Sequence, residues 1–224
     1  SLDGSLSEVM YPTYSAVQDN LDTVKAYVRR SLKLSMYIVF PVLTGLVAVA
    51  EPLTLVLLTE KWLPSVPYMQ LTCLICAFWP LSAREHALNA LGRSDLTFKL
   101  SLISKTISVA FLIAFAQMGV MMIMWGTVFT SVICFFVVSY YVKKHLRYSI
   151  GELAQDLLPS LLLSLVMGGC VLAISLLKMQ VMVQLVVQVL CGVAVYVLGS
   201  MLFRLDSFQY ILNMLKQMRK KQWE

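Results

Sequence analysis

The chain has 224 residues, with 18 Lys and Arg against 12 Asp and Glu and a formal net charge of +6. Apolar residues reach 59% and charged residues only 13%, with a mean hydropathy of +0.78; an average soluble domain holds roughly 45–50% and about 25%. That balance excludes a soluble globule, a disordered segment, a basic nucleic-acid-binding domain and a disulfide scaffold, and it predicts an all-α integral membrane bundle.

A helix that crosses the hydrocarbon needs about 20 mainly apolar residues. Six runs meet that need, at 35–59, 66–91, 98–118, 120–142, 157–178 and 181–203. Before the first, Val17, Leu21, Val24, Val28 and Leu32 recur at helical spacing with basic residues on other faces. That pattern predicts an amphipathic helix resting on the cytoplasmic surface. Late in the first span Glu51 precedes Pro52; proline removes a backbone bond and disfavours helix at the residue before it, so a break is expected there.

The second span carries Arg84, Glu85 and His86 before its end at Gly92. In the third, Ser101, Ser104, Lys105 and Ser108 fall on one helical face, which reads as the wall of a hydrated cavity with Lys105 about 10 Å inside the span. Met118 and Gly119 make the tight turn into the fourth span, which has small residues at Gly126, Thr130 and Cys134. Ser149 and Glu152 fit a capping box that starts the helix leading into the fifth. Ser160, Ser164 and Gly168 there form a second packing stripe, and Gln180, Gln184 and Gln188 share a face of the sixth span. Residues 204–224 form a basic tail in which Phe208, Ile211, Leu212, Leu215 and Met218 repeat at helical spacing, a second interfacial helix.

Lys and Arg favour the cytoplasmic side of a membrane protein. Fourteen of them lie at the N-terminal flank, the second-to-third and fourth-to-fifth connections and the tail, against only Lys61 and Lys178 on the other side. Six spans with that bias place both ends of this multi-pass segment in the cytoplasm. No signal peptide is visible, and the opening Ser-Leu-Asp-Gly reads as part of a longer protein.

Charged groups inside a membrane usually face a wet cavity or one another. Arg84, Glu85, Lys105, Ser101, Ser104 and Ser108 are therefore the candidate cavity and substrate-binding residues, with Lys105 a possible partner of Glu85. A structural ion pair and a substrate or proton role both remain open for the charged pair, and Glu51 with Pro52 is the candidate helix break. The five cysteines, including the Cys73 and Cys76 pair, sit in apolar runs without a polar shell and read as packing residues. No catalytic motif is present, and the outer connections are too short to hold a catalytic constellation, so the chain is expected not to be an enzyme and to need no metal or cofactor.

Specific residues carry a resemblance. The run Met10, Tyr11, Pro12, Tyr14, Ser15, Gln18 and Asp19 resembles a helix exit of Wzx-type polysaccharide and O-antigen flippases, which belong to the multidrug, oligosaccharidyl-lipid and polysaccharide exporters. Phe40 and Pro41, Gly45, Glu51 and Pro52, and the later Thr59 to Trp62 are similar to the same family. So is Ala87 to Asp95, the cytoplasmic turn. The resemblance implies a two-lobed fold of which residues 1–34 hold the end of an eighth span plus a cytoplasmic segment, and residues 35–203 hold spans nine to fourteen, followed by the tail at 204–224. It implies export of undecaprenyl-type lipid-linked oligosaccharide repeat units for surface polysaccharide (lipopolysaccharide or exopolysaccharide) by alternating access. The implied partners are membrane lipids, the N-terminal lobe of the same protein, a polysaccharide polymerase and glycosyltransferases. An ion-coupled multidrug exporter of the same superfamily and a noncatalytic scaffold for polysaccharide assembly are the alternatives.

Overall fold

In the computed structural model, residues 21–177, 179–203, 207–208 and 210 are described. The early flippase-like motif at 10–19, Val17, Lys178, and most of the tail stripe lie outside them. Eight helices occur among these residues: α1 (Leu21–Ala48), α2 (Ala50–Leu57), α3 (Val66–Cys76), α4 (Ala83–Ala90), α5 (Ser94–Phe115), α6 (Val120–Leu146), α7 (Ile150–Ser175) and α8 (Val181–Leu202). Together with 3-10 turns at Glu60–Ser65, Trp79–Ser82 and Ala116–Met118, they give six segments long and apolar enough to cross a membrane. Among the described residues the chain forms an all-α, six-span, multi-pass membrane bundle. Leu176, Phe98 and Ile113, all more than 70% exposed, show that outer faces are hydrocarbon, as lipid contact requires.

The described residues form two compact units. The first contains 21–35 and 65–157, the second 36–64 and 158–203.

In the first unit, the stripe predicted to lie on the membrane surface does something else. The helix that begins at Leu21 runs without interruption into the first span, and Val24, Val28 and Leu32 are fully buried. The reason is electrostatic as well as apolar, because the basic face of this helix meets a carboxylate pair at the start of α7. Arg29 donates from Nε and Nη2 to the two oxygens of Asp156, both at 2.7 Å. Lys33 Nζ stands 3.1 Å from the same carboxylate, and the Tyr148 hydroxyl donates to it at 2.9 Å. Lys25 pairs with Glu152 at 2.8 Å and also donates to the Arg147 carbonyl at 2.7 Å. Burial, followed by the hydrogen bond to Asp156, raises the Tyr148 phenol well above its ordinary value, so it remains a donor.

Ser149 and Glu152 close the capping box, the Ser149 amide donating to the Glu152 carboxylate at 2.9 Å and the Glu152 amide to Ser149 Oγ at 3.2 Å. Gly92 and Gly119 take positive φ of 74° and 93° at the two reversals, a backbone region that costs a residue with a Cβ about 1–2 kcal/mol. Gly126 lies against Phe115, where an added Cβ would come within 2.9 Å of the ring. The small residues of α6 serve close packing there.

The second unit repairs a proline. Pro41 sits inside α1 and cannot donate to the Tyr37 carbonyl four residues back. The Tyr196 hydroxyl, from α8, donates to that carbonyl at 2.7 Å, while the Tyr37 hydroxyl donates to Ser200 Oγ at 2.8 Å. Lipid offers no substitute partner for such a carbonyl. Gln188, fully buried on the same face of α8, donates from Nε2 to the Val171 carbonyl at 3.1 Å; Gln180 is exposed and Gln184 half-buried. Gly168 permits the approach of α1 and α7, because a Cβ there would lie 2.6 Å from Thr44 Cγ2.

Two helix breaks depart from expectation. The regular helix yields at Val49, between α1 and α2, three residues before Pro52; Glu51 is exposed and Pro52 buried within α2. Proline acts upstream because the bond it lacks would have ended on the Ala48 carbonyl. The second span, expected to be continuous, is divided by the 3-10 turn at Trp79–Ser82. Pro80 is the cause, since it leaves the Cys76 carbonyl without its helical donor.

Candidate functional site

That division of the second span positions a cavity of about 280 Å³ within the first unit. Its walls come from the turn at 79–82, from α3 and α4, and from the facing sides of α5 and α6. Arg84, only 2% exposed, forms one wall. Its Nε donates to the Leu81 carbonyl at 3.2 Å, a group brought there by the 3-10 turn, and its Nη1 donates to Ser139 Oγ at 2.8 Å. The guanidinium carbon lies 5.0 Å from the centroid of the Phe135 ring, an arrangement that compensates a desolvated cation. No carboxylate lies within 4.0 Å of it among the described residues. Glu85, half-buried, lines the same cavity and has no ion pair among the described residues.

Of the candidate residues read from the sequence, Arg84, Glu85, Ser104 and Ser108 are brought together here. Ser101 is half-buried and Lys105 exposed, and neither lines the cavity. No ion pair joins Lys105 to Glu85. The polar face of α5 spreads over two turns, and only Ser104 and Ser108 of it reach the lining. His86, half-buried, stays outside the lining. Glu51 and Pro52 line neither this cavity nor the larger one in the second unit.

The fourth span supplies what the sequence reading missed. Thr127, Thr130, Ser131 and Cys134 line the cavity from α6, and Cys134 Sγ is 2.8 Å from Ser104 Oγ. Their i, i+3, i+4, i+7 spacing was a usable signal, the same one that marks the serines of α5, but Thr130 and Cys134 also read as a packing stripe. Trp79 and Phe78 complete the rim; the signal for them was Pro80.

The second unit holds a cavity of about 530 Å³ between α1, α7 and α8, lined almost wholly by hydrocarbon, with Gln188 and Tyr196 as its polar members. Among the described residues no group of three or more His, Cys, Asp or Glu could hold a metal ion. The first cavity presents hydroxyl groups, a guanidinium and a carboxylate on its walls.

These features define a polytopic membrane protein with a polar intramembrane cavity. Comparison with known proteins narrows the class. The family described as "Polysaccharide biosynthesis protein" matches residues 1–67. A Klebsiella pneumoniae protein described as an "Uncharacterized membrane protein in cps region" is 33% identical over 69 residues, which is 31% of this chain and 14% of that protein. "Lipopolysaccharide biosynthesis protein WzxC" of Escherichia coli (strain K12) is 25% identical over 119 residues, 53% of this chain and 24% of that protein. The chain thus spans a quarter or less of the length of these curated relatives. No solved structure matches. At low identity and over part of its length, the chain is similar to proteins described by their role in polysaccharide or lipopolysaccharide biosynthesis.

Proposed function

We propose that the chain is part of an exporter that moves lipid-linked oligosaccharide repeat units across the inner membrane for surface polysaccharide synthesis. On this reading the six spans belong to one lobe of a two-lobed flippase, and alternating access arises from rocking of one lobe against the other. Residues 1–34 hold the end of a preceding span and a cytoplasmic segment, residues 204–224 a basic cytoplasmic tail, and both ends of the segment face the cytoplasm.

The observation that carries the reading is the Arg84 guanidinium in the wall of a hydroxyl-lined cavity inside a six-span bundle. A buried cation in a membrane is costly to retain unless it serves function or register, and among the described residues this one makes no ion pair that would fix register. The match of residues 1–67 to a polysaccharide biosynthesis family adds independent support. Arg84→Ala in the full-length protein is expected to abolish surface polysaccharide while leaving its abundance in the membrane unchanged. Wild-type polysaccharide at wild-type abundance in that strain would overturn the assignment of Arg84. A strain lacking the gene that keeps its polysaccharide but becomes sensitive to dyes would point instead to drug export.

A further inference from the structure

The cavity walls specify more than polarity. Ser108, Thr127, Thr130 and Ser131 each donate their hydroxyl proton to the carbonyl four residues earlier in their own helix, at 2.9, 3.1, 2.9 and 2.9 Å. A hydroxyl has one proton and two lone pairs. With the proton spent on the backbone, each of these groups can offer the cavity only an acceptor. Glu85 adds a carboxylate, a further acceptor when ionised. Arg84 is the main donor, and two of its nitrogens already serve Leu81 and Ser139, leaving Nη2 without a hydrogen bond among the described residues.

A ligand that satisfies such walls must itself be rich in donors. A polyphosphate is the reverse, since its oxygens only accept and its charge would meet Glu85 and a ring of lone pairs. One arginine beside one glutamate also leaves the cavity near electroneutral. A polyhydroxy ring fits on both counts, because each hydroxyl can donate to the Ser and Thr oxygens and accept from Arg84. Trp79, 57% exposed and at the cavity rim, offers an aromatic face to the apolar C–H side of such a ring. The volume of 280 Å³ equals about nine waters at ~30 Å³ each, the scale of one monosaccharide rather than a chain of them.

We infer that this cavity is a glycosyl subsite which holds one uncharged sugar ring of the cargo, and that the pyrophosphate linkage is carried elsewhere. The inference rests on the export reading but is tested apart from it. Full-length protein in lipid nanodiscs is mixed with methyl glycosides of a neutral hexose and of an N-acetylhexosamine, and saturation transfer to their ring protons is read by NMR. In parallel, inorganic pyrophosphate is followed by phosphorus line width, and sodium is added as a competitor.

The expected result is saturation of a glycoside, unaffected by sodium, with binding about tenfold weaker in Trp79→Ala and about fivefold weaker in Ser131→Ala. Pyrophosphate should show no broadening that depends on Arg84. Absence of glycoside saturation, saturation indifferent to both substitutions, displacement by sodium, or pyrophosphate broadening that Arg84→Ala removes would each overturn the subsite. If any of these occurs while a strain lacking the gene still loses its surface polysaccharide, only the subsite has fallen; if that strain keeps its polysaccharide, the export reading has fallen as well.

Discussion

Two buried charges of this protein are treated in opposite ways. The Asp156 side chain, 3% exposed, is surrounded by Arg29, Lys33 and Tyr148, whereas Arg84 contacts neutral acceptors and a ring among the described residues. Breaking a buried pair by removing one partner costs about 3–5 kcal/mol, and because the two cations are about a third exposed the lower end applies. Asp156→Ala is expected to destabilise the protein by about 3 kcal/mol, read as a lower unfolding midpoint in detergent. Replacing an unpaired buried charge by a methionine of similar length removes a desolvation penalty instead. Arg84→Met should therefore leave the unfolding midpoint unchanged or raised while polysaccharide export is lost. A large fall in that midpoint would show that Arg84 is retained for folding.

At the scale of elements, prolines dictate which carbonyls need help, and side chains from neighbouring helices provide it. Tyr196→Phe removes the donor to the Tyr37 carbonyl and should cost about 1 kcal/mol. Pro41→Ala restores the helical donor, so in the double variant the cost of losing the tyrosine hydroxyl should shrink; equal costs in both backgrounds would refute the compensation. A Cβ at Gly168 would strike Thr44, and Gly168→Ala should destabilise by about 1–3 kcal/mol, measured in the same unfolding assay. Much of this scale was legible in sequence. The six apolar runs, the reversals at Gly92 and Gly119 and the Ser149–Glu152 capping box all depend on local length, backbone freedom or spacing. The burial of Val24, Val28 and Leu32 was not, because an apolar stripe beside a basic face looks the same whether Lys25, Arg29 and Lys33 meet headgroups or Glu152 and Asp156 on a distant helix. The cavity was half legible for the same reason: the hydroxyls of α5 and α6 each show a face, but their meeting is tertiary.

For the whole molecule, the lopsided distribution of Lys and Arg calls for a fixed threading through the bilayer. Single cysteines introduced at Lys144 and at Gly119, in a background without the native five, should react with a membrane-impermeant thiol reagent from opposite compartments. Reaction from the same side would refute six crossings and the orientation together. The divided second span also bears on how the protein is made. Its α3 helix has 11 residues, about 16 Å of rise against a hydrocarbon core of about 30 Å, and the whole segment has the lowest mean hydropathy of the six, 1.3 against 2.4 for the last. An arginine within an inserting helix is disfavoured, by about 2.5–3.5 kcal/mol at the centre and by less toward the end where Arg84 lies. Ribosome-bound intermediates that end after Gly92 should leave this segment poorly inserted. Its stable lodging in the bilayer must await synthesis of the partners that shelter the arginine, Phe135 and Ser139, more than forty residues later in the chain.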